Sequence, residues 1–157
     1  LTSCSEATDF AYLRDNSKRL QAGEVVYAYG FPVSTSTVPK ITSGIISALV
    51  GDFNDSGYLQ HTAPITFGNS GGPLLDKFGL VVGVNQGGYG VVDDEGDATG
   101  FAPGVGYAIK ASILQSFLEA HGVGFEIKNR TQGIESTEIA ETSNEFTVQI
   151  ACWLLSD

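Results

Sequence analysis

Short runs of apolar and β-branched residues alternate along the chain with Gly, Pro, Ser and Asp. Six runs stand out, at residues 24–29, 41–49, 58–62, 73–75, 80–85 and 105–109. Val, Ile, Tyr and Leu in runs of strand length, bounded by turn formers, predict an all-β chain that closes as a small barrel or sandwich. The period then changes. Ile113, Leu114, Phe117 and Leu118 recur at the spacing of one helix face, Ser112-Ile113-Leu114-Gln115 has the form of a capping box, and Gly122 reads as a stop. Residues 128–145 are rich in Ser, Thr, Glu and Asn, which predicts a polar linker or weak helix. Phe146, Val148, Ile150 and Cys152 alternate with Thr147, Gln149 and Ala151, and this period of two predicts a closing strand.

A chain of 157 residues buries one sizeable core, so the expected organisation is one domain over 1–124 and an appendage over 125–157. A net charge of −10 repels nucleic acid and anionic membranes and removes both as expected partners. No stretch reaches the roughly 18 consecutive apolar residues of a membrane helix. The first residues do not form a charged-then-apolar leader and the sequence holds no Met, so it reads as a processed or truncated piece.

Cys4 and Cys152 form neither a zinc-ligand cluster nor a redox pair; two buried thiols or one bridge both remain open, and no compartment follows. The Gly-rich segment 87–104 carries Asp93, Asp94, Glu95 and Asp97 without the alternating spacing of a calcium loop, so a solvated hairpin loop is expected there. No metal site and no cofactor are expected. Asn54-Asp55-Ser56 and Asn129-Arg130-Thr131 are glycosylation acceptors wherever the host glycosylates.

The densest chemistry lies in Gly68-Asn69-Ser70-Gly71-Gly72-Pro73. Glycines on both sides of Ser70 let the backbone take a tight turn that aims neighbouring N–H groups at one point, where a developing oxyanion would sit. Read alone, the string is also compatible with an ordinary turn. Its flanks change that reading. Ile41-Thr42-Ser43-Gly44-Ile45-Ile46-Ser47-Ala48-Leu49 and Tyr58-Leu59-Gln60-His61-Thr62-Ala63-Pro64-Ile65-Thr66 precede it, and Leu80-Val81-Val82-Gly83-Val84-Asn85 and Val105-Gly106-Tyr107-Ala108-Ile109 follow. In this order and spacing, from about Asp9 to Phe117, the chain resembles the second β-barrel of chymotrypsin-fold serine peptidases of the HtrA/Deg type. The resemblance implies a six-stranded antiparallel barrel with a C-terminal helix and a short tail, and a parent protein whose first β-barrel is a partner of this one.

The resemblance also implies roles. Ser70 corresponds to the nucleophile, and the Gly68, Asn69, Ser70 turn to the oxyanion hole, with the N–H groups of Gly68 and Ser70 as donors. Asn69 replaces the Asp that many digestive relatives use to pair with a newly cut N-terminus, which argues against that mode of activation. Thr8-Asp9-Phe10-Ala11-Tyr12-Leu13-Arg14 resembles the segment bearing the Asp that orients the base, so Asp9 takes that role, with Asp15 less favoured.

The base itself is missing. In this fold it precedes the Asp, yet the only histidines are His61 and His121. His61 is expected to fill space or touch a substrate side chain, and His121 to complement the end of a helix. Pro64, Ile65, Thr66 and Phe67, with Val84, Asn85 and Gln86, correspond to the walls of the substrate pocket. Pro64 stands about where trypsin-like enzymes carry an acid, which implies aliphatic or small side chains before the scissile bond. Two function classes follow: a serine endopeptidase acting on peptides or proteins, with this fragment inactive alone, or a barrel that has lost the chemistry and serves interaction or structure.

Overall fold

Two cores are built on the predicted strands, one inside the sheet and one outside it, and the strands at 24–29, 41–49, 73–75 and 80–85 send residues to both. The structure is a computed structural model that describes residues 10–15, 19–32, 37–96 and 98–150. In chain order its strands are β1 (Leu13–Arg14), β2 (Val25–Gly30), β3 (Lys40–Ala48), β4 (Tyr58–His61), β5 (Pro73–Asp76), β6 (Val81–Val92), β7 (Ala98–Lys110) and β8 (Ile127–Lys128). The helices are α1 (Ala111–Ala120) and α2 (Ser136–Phe146), and Asp52–Asn54 forms a single 3-10 turn. Strands run in the order β5-β2-β3-β4-β7-β6, and β6 pairs back with β5. That closes a six-stranded antiparallel barrel, which leaves the ladder without a free edge around its waist. β1 and β8 extend it outside β6 by short parallel pairings.

The alternation decides what is inside. On β2, Val26 and Ala28 point into the barrel, where they meet Ile46, Leu59, Leu74 and Val82. Tyr27 between them faces the outer cluster, as do Leu75 beside Leu74 and Val81 beside Val82. This outer cluster, built on Leu13, Leu75, Val81 and Ile139, is covered by Leu114 and Leu118 of α1 and Phe146 of α2. Ile139 is almost completely buried there. Ile139→Ala should therefore lower stability by about 2 kcal/mol, the low end for a buried aliphatic truncation. Urea denaturation reads the change, and an unaltered midpoint would show that α2 does not hold the barrel.

The ends differ from the sequence reading in three places. Helix α1 starts at Ala111, with Lys110 as its cap residue and no side-chain cap bond, so Ser112 opens no capping box. Strand β7 runs straight to Lys110, and burial of Ala111 turns the chain into helix before Ser112 is reached. Of the expected apolar face, Leu114 and Leu118 pack inward, whereas Ile113 and Phe117 stay exposed. Gly122 does end the helix, in the left-handed region at φ 66°. Phe146 closes α2 and no strand forms over residues 147–150, where Val148 and Ile150 are exposed; Cys152 lies outside the described residues. Ile139, Ser143 and Phe146 share one face at helical spacing, and burial of that face draws Phe146 into the helix rather than into a strand.

The segment 87–104 is a paired hairpin for most of its length. Its ladder includes Gly90↔Phe101 and Val92↔Ala98, with a turn near residues 93–96. Asp97 lies outside the described residues.

Candidate active site

The turn that carries Ser70 lies between β4 and β5 and is clamped from two sides. On one side Gly68 takes φ 97°, and its carbonyl accepts the N–H of Phe31 at 3.3 Å. A Cβ there would lie 2.2 Å from the Phe31 carbonyl oxygen, so only glycine fits both the dihedral and the space. On the other side lies β6. The N–H of Gly71 donates to the Asn85 carbonyl at 2.7 Å, and the Asn85 N–H returns a bond to Gly72 at 2.9 Å. The Asn85 amide adds a bond to the Pro73 carbonyl at 3.1 Å.

Within the turn, Asn69 is buried and its groups are committed. Its N–H donates to the Thr66 carbonyl at 3.1 Å, its carbonyl accepts the Gly72 N–H at 3.0 Å, and its side-chain oxygen accepts the Thr66 N–H at 3.2 Å. Asn69 therefore holds the turn and cannot donate its N–H outward. Among the described residues nothing accepts the N–H of Gly68 or of Ser70. The Ser70 hydroxyl is exposed and donates to the Gln86 carbonyl at 2.8 Å.

The segments expected to wall the pocket flank this turn in sequence and are held by several different contacts. Val84 pairs with Pro73, and Gln86 holds the Ser70 hydroxyl. Pro64 is anchored through its carbonyl by the Thr42 hydroxyl at 2.7 Å, Ile65 packs on the barrel core, and the Phe67 ring leans on Phe101 with centroids 5.1 Å apart. Asn85 is buried, so it serves the turn from behind rather than lining open space. Two features escaped the sequence reading. One is Phe101, a lone aromatic on a Gly-rich hairpin; the other is the Asn85 strut, for which a polar residue inside the apolar run 80–85 is the signal.

Neither histidine approaches the role of a base. His61 is fully buried, its ring against Gly106, where a Cβ would lie 2.4 Å from the ring. Both ring nitrogens lack a hydrogen-bond partner among the described residues. Burial pushes its pKa down to about 4, opposed in part by the nearby Ala63 backbone and Asn85 amide, neither of which closes a hydrogen bond. His121 caps α1, its ring on Phe117 and its Nδ1 2.8 Å from the Phe117 carbonyl. Asp9 lies outside the described residues. Asp15, the less favoured candidate, follows β1 directly.

β1 is tied to the barrel by charge. Arg14 bridges Glu24 at 2.5 Å and the buried carboxylate of Asp76 at 3.4 Å. Asp76 also accepts the N–H groups of Phe78 and Leu80, at 2.8 and 3.0 Å, and so closes the β5–β6 turn. Among the described residues no group of His, Cys, Asp and Glu is arranged to hold a metal.

A profile of the trypsin-like peptidase domain matches residues 2–84, just over half of the chain. The chain belongs to the trypsin-like peptidase family. Within that family its similarity is to HtrA-type members. It is 36% identical over 135 residues to the mitochondrial serine protease HTRA2 of Drosophila persimilis, covering 75% of this chain and 28% of that protein. It is 34% identical over 139 residues to an uncharacterized protein, y4bJ, of Sinorhizobium fredii, covering 83% of this chain and 21% of that one. The chain thus spans between a fifth and a third of these relatives.

Among solved structures, the serine endoprotease from Yersinia pestis superposes with a TM-score of 0.52 at 29% identity, over 69% of this chain and 34% of that one. The HtrA-type protease AlgW, solved with a decapeptide, gives 0.54 at 27% identity, over 70% and 32%. The closed barrel of this trypsin-like chain is therefore the chymotrypsin-like barrel anticipated from the strand order. No helix among the described residues is long and apolar enough to cross a membrane.

Proposed function

We propose that this barrel is the C-terminal half of a serine endopeptidase that cleaves peptide bonds through an acyl-enzyme on Ser70. The observation that carries the reading is the pair of N–H groups, on Gly68 and Ser70, that have no acceptor among the described residues, beside an exposed serine hydroxyl in a glycine-enforced turn. In the reaction Ser70 Oγ attacks the scissile carbonyl carbon and gives its proton to a base. The two N–H groups receive the oxyanion, and the amine leaves with the proton returned by the base. Water then opens the ester by the same route.

Asp9 orients the base, and the base is a histidine supplied from outside these 157 residues by the first barrel of the parent protein. Support comes from the burial of His61, the capping position of His121, and the fraction of HtrA-type relatives that the chain spans. The isolated chain is then inactive.

The substrate side chain before the scissile bond enters between the Pro64 to Phe67 segment and Val84 to Gln86. Ile65, Phe67 and Val84 give that space an apolar wall without an acid, so aliphatic or small residues are selected, at about 1–3 kcal/mol per methylene. Profiling the full-length protein with a peptide library should show this preference. Dominance of Arg or Lys immediately before the cut would overturn the pocket, and no cleavage of any peptide would overturn the peptidase reading.

A further inference from the structure

Beyond Ser70 along β6 lies a cleft of about 430 Å³ between the β6–β7 hairpin and the β3–β4 connection. Its walls combine aromatic rings, Phe53, Tyr58, Tyr89 and Tyr107, with the carboxylates of Asp52 and Asp55. Asp52 accepts the Tyr107 hydroxyl at 2.7 Å, and Asp55 accepts the Gly57 N–H at 2.8 Å. Each carboxylate keeps a second oxygen, and among the described residues neither has a Lys or Arg within ion-pair distance. The hydrogen bond to Asp52 raises the pKa of the Tyr107 phenol, which keeps it a donor. Phe53 stands at the rim, fully exposed, with φ 54°, and Asn54 follows at φ 63°. Two successive non-glycine residues in the left-handed region, one of them aromatic, form a costly turn that presents an apolar ring to solvent.

We propose that this cleft binds a cationic side chain, Arg or Lys, of the peptide substrate, two to four residues before the scissile bond. The inference rests on the peptidase reading above. Backbone bonds from the Gly71–Gly72 turn hold β6 as far as Asn85, and beyond it the β6 edge away from β7 has no strand partner among the described residues, so that edge is open to an extended peptide beside Ser70. At about 3.3 Å per residue, Gly88 and Gly90 lie roughly 7 and 13 Å beyond Gln86 along the strand, the reach of those upstream residues. Aromatic faces accommodate the stem of Arg or Lys and attract its charge, and the second carboxylate oxygens accept its N–H groups.

The test compares kcat/KM of the full-length protein on peptides with one fixed aliphatic residue before the cut and Arg, norleucine or Glu at the second, third or fourth position before it. Arg should exceed norleucine at least tenfold at one of these positions, and Glu should fall below both. The gain should vanish in Asp52→Asn/Asp55→Asn and shrink at 0.5 M salt. Tyr107→Phe, which keeps the ring and loses only the bond to Asp52, should weaken it in part.

An equal gain at all three positions, or one that survives the double variant, would be attraction to the acidic surface as a whole and would overturn the proposal. Cleavage without any Arg preference would overturn it while the peptidase reading stands. No cleavage of any peptide would overturn both.

Discussion

Replacing Ser70 by Ala in the full-length protein should lower kcat/KM by on the order of 10⁴–10⁶ and leave the melting temperature unchanged. The hydroxyl is exposed, and among the described residues its one bond is to the Gln86 carbonyl. What shapes the turn lies elsewhere, in Gly68 against Phe31, Asn69 against Thr66 and Asn85 against Gly71 and Gly72. Loss of the oxygen therefore removes the proposed nucleophile without touching the frame around it. Peptide binding should persist, because the groove and the two N–H groups are unaltered. Activity within tenfold of the parent would place the nucleophile elsewhere.

Acid should destabilise the barrel through His61, by about 3 kcal/mol between pH 6.5 and 4. In the unfolded chain a histidine titrates near 6.5; in the fold, burial lowers this one to about 4. Between these values the unfolded state binds a proton that the folded state refuses, so stability falls as pH falls, by up to about 1.4 kcal/mol per unit. Below the folded value the loss is complete and levels off.

The strand neighbours of His61 are Ile46 and Gly106, and Asn85 lies beside its ring; none of them titrates to compensate. His61→Val keeps an apolar, strand-compatible side chain and removes the proton site. Urea midpoints at pH 7 and pH 4.5 should diverge strongly for the parent and much less for the variant. Equal acid sensitivity in both proteins would show that His61 takes up its proton in the fold as readily as in the unfolded chain.

Much of the fold was legible because it follows from alternation. The six runs correspond to the six barrel strands: five of them carry β-branched or aromatic residues, and Gly, Pro, Ser and Asp separate most of them. The Gly68–Pro73 turn was legible because its chemistry is local: glycines at fixed offsets impose a backbone shape whatever lies around them.

The ends were less legible, since tertiary contacts decide them. Ser112 matches a capping pattern, yet the cap is Lys110, because β7 delivers the chain into the helix directly. Phe146 belongs equally to a period-two run and to the helical face of Ile139 and Ser143, and only the outer core chooses between them. The role of His61 depends on Gly106, 45 positions away in sequence, and no local pattern reports such a contact.

The central claim, that Ser70 is a nucleophile whose base comes from outside this chain, is tested most directly by reaction with a fluorophosphonate probe. Such reagents phosphonylate a serine, its oxygen displacing fluoride from phosphorus, and do so rapidly only where a base takes the hydroxyl proton as it attacks. The full-length protein should label rapidly and stoichiometrically at Ser70, and the isolated 157-residue chain should label slower by orders of magnitude. Rapid stoichiometric labelling of Ser70 in the isolated chain would contradict the account, because a base would then lie within it.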